Sequence, residues 1–363
     1  MQTQTHSTTD FRAAVASPRH HIRTAANLFS DDTIHPRRPI FGDWLLERGL
    51  AMLYAPSGIG KSWLSLSIAT AIAGGGTLHD WQAPAPERVL LIDGEMDASD
   101  IKDRLKVVFD AVDTDRDKAL SNLMIWARKD PLAERDFLDL ATEEGREWLL
   151  RVVAEQKPTL LILDNLSTLA TVGDENAAQS WDPVLATLQA VQQAGCAVLL
   201  VHHARKNANG AGSYRGSQKL SVLLDIIIAL KENPLAGAVN GSAFCLRFEK
   251  SRGLTTGTGY ELEAKFEAQP DKGSRWTFEG CSLGQIGGMV MKVRAGEFTT
   301  QDEIAKAYGI NKATVSRWKV KAIDAGLIKE IEFAACLKDA RYTRKLNTTV
   351  TNQGTTSDDH ADF

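Results

Sequence analysis

The stretch Tyr54-Ala-Pro-Ser-Gly-Ile-Gly-Lys-Ser-Trp-Leu-Ser65, YAPSGIGKSWLS, follows the apolar run LAMLY (50–54) and leads into a segment of helical composition. Ala55–Ser62 fits a spacing rule: Ala or Gly, four residues, then Gly-Lys and a hydroxyl residue. Each position has a physical task. Gly58 and Gly60 let the backbone turn so that successive N–H groups face one anion. Ile59 sits between them, and Ala55, Pro56 and Ser57 make the approach. Lys61 supplies a compact positive charge for β- and γ-phosphates, and the Ser62 hydroxyl is placed to ligate Mg²⁺. The helix that follows, with Trp63 in its first turn, turns its positive end toward a pyrophosphate. An ordinary glycine-rich turn is the alternative. The strand before and the helix after favour a phosphate loop that takes ATP with Mg²⁺.

Outward from this loop, apolar runs recur: RVLLI (88–92), LMIWA (123–127), TLLILD (159–164), AVLLVHH (197–203), DIIIAL (225–230) and FCLRFEK (244–250). Helical patterns separate several of them, at Ser62–Ala73, 142–156 and 183–195. Apolar runs without alternation mark strands covered on both faces. Strand–helix alternation predicts an α/β fold with a mainly parallel sheet.

Three strand ends carry candidate chemistry. Asp164 closes LLILD, where a carboxylate can hold Mg²⁺ through water; a helix N-cap is the other reading. LLIDGEMD (90–97) offers Asp93, Glu95 and Asp97. Hydrolysis needs a polariser beside the attacking water, and Glu95 is the choice, against a solvated acidic turn. AVLLVHH ends in His202 and His203. No third metal ligand is evident; a core or capping histidine is the usual reading, and a strand end beside the phosphate site offers the other, a hydrogen-bonding sensor of the γ-phosphate at His202 or His203.

The order of phosphate loop, VLLIDGEMD, LLILDN, LVHHARK, YRGS (214–217) and Lys250-Ser-Arg252-Gly253 resembles RecA-like ATPases of the plasmid RepA hexameric helicase type, over about residues 36–255. The resemblance implies Lys61 and Ser62 as nucleotide ligands, Glu95 as catalytic glutamate, Asp164 as magnesium-site aspartate and His203 as sensor. It also implies a homo-oligomeric, hexameric ring in which a neighbouring subunit donates an arginine finger. Some members place that arginine three residues after an Asp; here Asp225 is followed at that offset by Ile228. Arg252 is then the first choice and Arg215 the second. The loop 205–219, with Arg205, Lys206, Arg215 and Lys219, would line a channel for single-stranded DNA, whose phosphates dominate such binding.

A second module follows. In TTQDEIAKAYGINKATVSRWKVKAIDAGLIKE (299–330), Thr300 caps a first helix and Gly309 sits in a turn. A second helix over about 312–325 buries Val315, Trp318 and Ile323 and exposes Lys312, Thr314, Arg317 and Lys321. Residues 326–345 read as a β-hairpin, which would complete a winged-helix-like domain. Residues 292–345 hold 12 Lys/Arg against 7 Asp/Glu, in a chain of net charge −4. That local contrast favours a nucleic-acid surface, duplex DNA included.

The expected organisation is a disordered or loosely docked segment (1–34), an ATPase domain (35–280), a linker (281–290), the helix-turn-helix domain (291–345) and a disordered tail (346–363). The four cysteines form no CxxC pair, no apolar run approaches the ~18 residues of a membrane span, and the N-terminus lacks an apolar leader. The expectation is a cytoplasmic protein with no membrane contact.

Overall fold

The computed structural model describes residues 22–130, 139–171, 173, 178–204, 218–233, 240–252, 260–269, 273–280, 282–324 and 326–353. Two compact units divide the chain at Arg38. The first is described from Ile22. It holds helix α1 (Ala25–Phe29), whose N-terminus is capped by the Thr24 hydroxyl and whose residues are all exposed.

The second unit opens with a short hairpin, β1 (Pro39–Phe41) and β2 (Leu45–Leu46). Next come β3 (Leu50–Ala55), helix α2 (Lys61–Gly74), a small hairpin β4 (Thr77–Leu78) and β5 (Trp81–Gln82), and β6 (Val89–Asp97). Helices α3 (Ala98–Ala111) and α4 (Arg116–Asn122), strand β7 (Leu123–Lys129), helix α5 (Glu143–Gln156), strand β8 (Leu160–Asp164) and the single turn α6 (Leu166–Leu169) follow. Helix α7 (Asp182–Gln193), strand β9 (Ala197–His203), helix α8 (Gln218–Leu223) and strands β10 (Ile226–Glu232), β11 (Gly241–Ser251), β12 (Glu261–Glu267) and β13 (Arg275–Gly280) complete the α/β part.

The main sheet runs β13-β12-β11-β10-β3-β9-β8-β6-β7. Strands β10, β3, β9, β8, β6 and β7 are parallel, and β11, β12 and β13 extend the sheet antiparallel. Every residue of β3 and β8 is buried, because helices cover both faces. By contrast, β12 alternates between buried and half-buried residues, the mark of a sheet with one covered face. Parallel register brings Ala55 beside His203, Asp93 beside Asp164, and Asp164 beside Val201. The polar strand ends therefore gather at one edge of an apolar sheet.

Two cores flank the sheet. One holds α2 and an aromatic group in which Trp44, Trp81 and Phe248 meet edge-on. Helix α2 is buried from Leu64 through Gly74, so it lacks the polar face of a surface helix. The other core holds Leu149 and Val153 of α5 and Val184, Leu188 and Val191 of α7. Thr142 caps α5 by accepting from the Gly145 N–H at 3.1 Å.

The C-terminal part is helical: α9 (Ser282–Arg294), α10 (Gln301–Ala307), α11 (Lys312–Asp324) and α12 (Glu330–Gln353). Three sequence expectations are corrected here. The linker expected over 281–290 is helix α9 in its described residues. Strand β13 ends at Gly280 and α9 starts at Ser282, with Ile286, Met289, Val290 and Val293 at helical spacing in a third core. The β-hairpin expected over 326–345 is replaced by α12, so there is no wing among the described residues. Phe333, Leu337 and Ala340 fall on one helical face, and Phe333 is fully buried. Arg294 to Glu332 and Lys319 to Glu330 tie the start of α12 to α9 and α11. The tail expected to be disordered from 346 is helical through Gln353. Helices α10 and α11 are present, with Val315 and Trp318 buried but Ile323 only half-buried: the Thr300 hydroxyl accepts from Glu303 N–H, and the turn passes Gly309 at φ +64°.

Because Phe333 anchors α12, Phe333→Ala should destabilise this helical core by about 3–5 kcal/mol. A urea melt followed by a probe in the C-terminal region should move to lower midpoint. An unchanged melt would mean that α12 is not part of this core.

Candidate active site

The cleft lies where the parallel strands end. Ser57, Gly58, Gly60, Lys61, Ser62, Trp63, Glu95, Met96, Arg104, Asp164 and His203 line a volume of about 290 Å³. The loop after β3 turns through Gly58 at φ +82° and Gly60 at φ +119°. A Cβ on Gly60 would come within 1.9 Å of the Ser242 Oγ. That hydroxyl donates to the Ile59 carbonyl, so β11 braces the loop from beside it. Gly60→Ala is therefore both sterically and conformationally blocked. It should abolish nucleotide retention in equilibrium dialysis while the far-ultraviolet circular dichroism stays native.

Lys61 begins α2 and is buried. Its ammonium donates to the carbonyls of Ala55 at 3.1 Å and Pro56 at 3.0 Å. Burial lowers its pKa, while the nearby Asp164 and Glu95 carboxylates oppose that shift. Asp164, at the end of β8, is buried beneath it. Its carboxylate accepts from the Ser65 hydroxyl at 3.1 Å and from the Ser62 hydroxyl. Burial, with the neighbouring Asp93, pushes its pKa up to about 7, against the lowering effect of the two hydroxyls.

The three acids after LLI divide by role. Asp93 is buried, and its Oδ1 accepts from the N–H groups of Glu95 at 2.8 Å and Met96 at 2.7 Å. It shapes the turn, and burial raises its pKa. Asp97 caps α3 through the Ser99 N–H at 2.9 Å. Glu95 is the one left facing the cleft, with its side chain about half exposed. Gly94 gives this turn room: a Cβ there would meet the Thr168 hydroxyl at 2.2 Å.

Of the two histidines, His202 is buried away from the cleft, 3.3 Å from Ser167 and edge-on to Trp181. His203 faces it. Its Nδ1 lies 3.4 Å from both the Ser57 hydroxyl and the Lys61 ammonium. Its Nε2 lies 3.3 Å from Glu95 Oε1 and 3.0 Å from the Asn165 amide nitrogen.

A buried carboxylate bonded by two hydroxyls, beside a lysine and a loop that turns through two left-handed glycines, fits a magnesium-bound nucleoside triphosphate. Ser62 and Asp164 would hold the metal, and Ala55–Ser62 the phosphates. Bound magnesium would neutralise charge on the phosphate oxygens. A family model for an AAA domain matches residues 16–209. The chain belongs to the AAA domain family. This AAA domain has an α/β fold with its sheet mainly parallel. Among solved structures it is similar to the KaiC-like protein PH0186 from the hyperthermophilic archaeon Pyrococcus horikoshii OT3. The identity is 14%, the match covers 67% of this chain and 100% of that one, and the TM-score is 0.47.

Beyond the residues named from sequence, Arg104 lines the AAA domain's cleft, and Ser65 and Asn165 hydrogen-bond to Asp164 and His203, which line it. Arg104 comes from α3, with its guanidinium 4.8 Å above the Trp63 ring. Trp63 packs on its other side against Phe266, at 4.7 Å between ring centres. Arg252 is not among the residues lining the cleft. Its guanidinium donates to the Val222 carbonyl at 3.0 Å and lies 3.8 Å from Asp225. Arg205, Lys206 and Arg215 lie outside the described residues, and Lys219 falls on α8, its side chain not described. On α11, Lys312 and Arg317 are exposed while Thr314 and Lys321 are half-buried. Lys312 pairs with Asp302, and Arg317 donates to the Thr314 hydroxyl. No described helix is long and apolar enough to cross a membrane.

Proposed function

We propose that this AAA domain protein is an ATP-hydrolysing ring motor that acts on DNA, of the type of the plasmid, phage and mobile-element replicative helicases it resembles. One observation carries the reading: Lys61, Asp164, Glu95 and His203, from four different elements, converge on a single cleft at the phosphate loop. The loop's amides and Lys61 would take the β- and γ-phosphates, and Glu95 would polarise the attacking water. His203 would report the terminal phosphate. Arg252, held outside its own chain's cleft, would serve a neighbour's cleft in a hexameric ring. Arg205, Lys206, Arg215 and Lys219 would track single-stranded DNA. Lys312, Thr314, Arg317 and Lys321 would meet duplex DNA through phosphate contacts.

A second reading draws on α10 and α11, which form a helix-turn-helix arrangement outside the ATPase sheet. In it, ATP switches a DNA-binding regulator or loader that does not unwind. Strand displacement on a forked duplex separates the two. The motor should displace a strand in an ATP-dependent way and show hydrolysis stimulated by single-stranded DNA. DNA binding strengthened by ATP, with no displacement, identifies the switch.

Lys61→Ala should abolish hydrolysis with the fold intact. Arg252→Ala should keep near-normal nucleotide affinity and lose turnover. Mixing the two variants should restore part of the activity, because each cleft between unlike subunits has a chance of drawing Lys61 from one and Arg252 from the other. No rescue in a steady-state phosphate-release assay would remove Arg252 from the neighbour's site.

A further inference from the structure

The His203 ring has more neighbours than a neutral imidazole can satisfy at once, and one of them decides between two networks. In the first, Nε2 keeps its lone pair and accepts from the Asn165 amide at 3.0 Å, while Nδ1–H points at Ser57 and the phosphate loop. In the second, Nε2–H donates to Glu95 at 3.3 Å, and Lys61 donates to Nδ1 at 3.4 Å. Both cannot hold together, since each ring nitrogen is donor in one and acceptor in the other.

The orientation of Asn165 breaks the tie. Its Oδ1 is taken by the Thr168 N–H at 3.2 Å, as the cap of α6. Its NH₂ must then face Nε2. Asn165 is buried, so there is little room for the amide to swing away. A proton on Nε2 would meet that NH₂ head-on, whereas a proton on Nδ1 faces the Lys61 ammonium, which already donates to the Ala55 and Pro56 carbonyls and can turn its remaining proton from the ring.

We infer that Asn165 is a positioning residue that holds His203 in its Nδ1–H tautomer, so that the ring offers a proton to the terminal phosphate and only a lone pair toward Glu95. The consequence is twofold. A phosphate sensor has to donate, and this tautomer donates on the side that faces the loop. Glu95, in turn, gains no hydrogen bond from the ring and keeps its carboxylate for water. The inference rests on the reading of the cleft as an ATP-hydrolysing site.

The test uses the full chain labelled with ¹⁵N-histidine, free of nucleotide, at about pH 8, where an ordinary imidazole is neutral. His203→Gln identifies the ring signals among the eight histidines. In the wild type, the Nε2 shift should be that of an unprotonated nitrogen. Asn165→Asp keeps the cap and the shape but offers an acceptor, and should move the proton to Nε2. Asn165→Leu offers no donor and should do the same, leaving Nε2–H to hold Glu95. Its kcat for ATP should then fall by about 10-fold or more, with Mg-ATP affinity within about threefold of wild type. A protonated Nε2 in the wild type overturns the assignment. So does an unchanged tautomer in Asn165→Asp, which decides the matter even if Asn165→Leu does not fold. If the wild type fails to bind Mg-ATP, the ATPase reading falls, while the nitrogen spectra, recorded without nucleotide, still decide the role of Asn165.

Discussion

Glu95→Gln should bind Mg-ATP as the wild type does and hydrolyse it about 10²–10⁴-fold more slowly. The amide matches the carboxylate in shape, so packing around Met96 and Arg104 is kept. What it loses is the negative charge that polarises water. The neighbouring acids cannot substitute, because Asp93 is engaged by two N–H groups and Asp97 caps α3. Filter-binding of labelled ATP with single-turnover hydrolysis separates the two effects. Full hydrolysis by the variant would remove Glu95 from the chemistry. It would point to Asp164 or to a group supplied by another subunit.

Asp164→Asn should have opposite effects on stability and on metal binding. In the folded, metal-free chain the Asp164 pKa is raised to about 7 from 3.8, so the folded state binds this proton more tightly than the unfolded one. The stabilisation linked to the proton is complete below the unfolded value and is lost as pH rises through about 7. At most about 4 kcal/mol is at stake, from roughly three pH units at 1.36 kcal/mol each. The Asn variant carries no such penalty. It should melt like the wild type near pH 4 and higher than it near pH 8, without nucleotide. Magnesium competes with the same proton. Wild-type affinity for Mg-ATP should therefore rise by up to tenfold per pH unit below about 7 and level off above. The variant should lose both the affinity and its pH dependence. Calorimetric melts at several pH values, with magnesium titrations alongside, check both arms. A variant no more stable than wild type at pH 8 would mean that Asp164 is already ionised there at little cost.

The legibility of the site follows from how local each residue's task is. Ala55–Ser62 is contiguous, so its spacing alone expresses the phosphate loop. Glu95, Asp164 and His203 end long apolar runs, and a strand end in a parallel sheet is a defined place. Asn165, Ser65 and Arg104 carry no such mark. Ser65 matters only because one turn of α2 sets it against β8, and Asn165 only because β8 and β9 lie side by side. Strand β12 is legible in principle, since ELEAKFE (261–267) alternates with period two. Residues 326–345 read as a hairpin for another reason. Tyr342 and Thr343 favour strands locally, yet Phe333, Leu337 and Ala340 repeat at helical spacing and have a core to fill. Tertiary burial outweighed local preference there.

The pairing of Ala55 with His203 and of Asp93 with Asp164 has a bearing on how this chain tolerates change. Strand side chains point up and down by turns, so one residue inserted into β6, β8 or β9 would turn the catalytic end of that strand toward the opposite face. Insertions beyond the strand tips leave the alignment alone. Changes of length are thus accommodated in its connecting loops and outer helices, while the lengths of its inner strands are as constrained as any single side chain of the cleft.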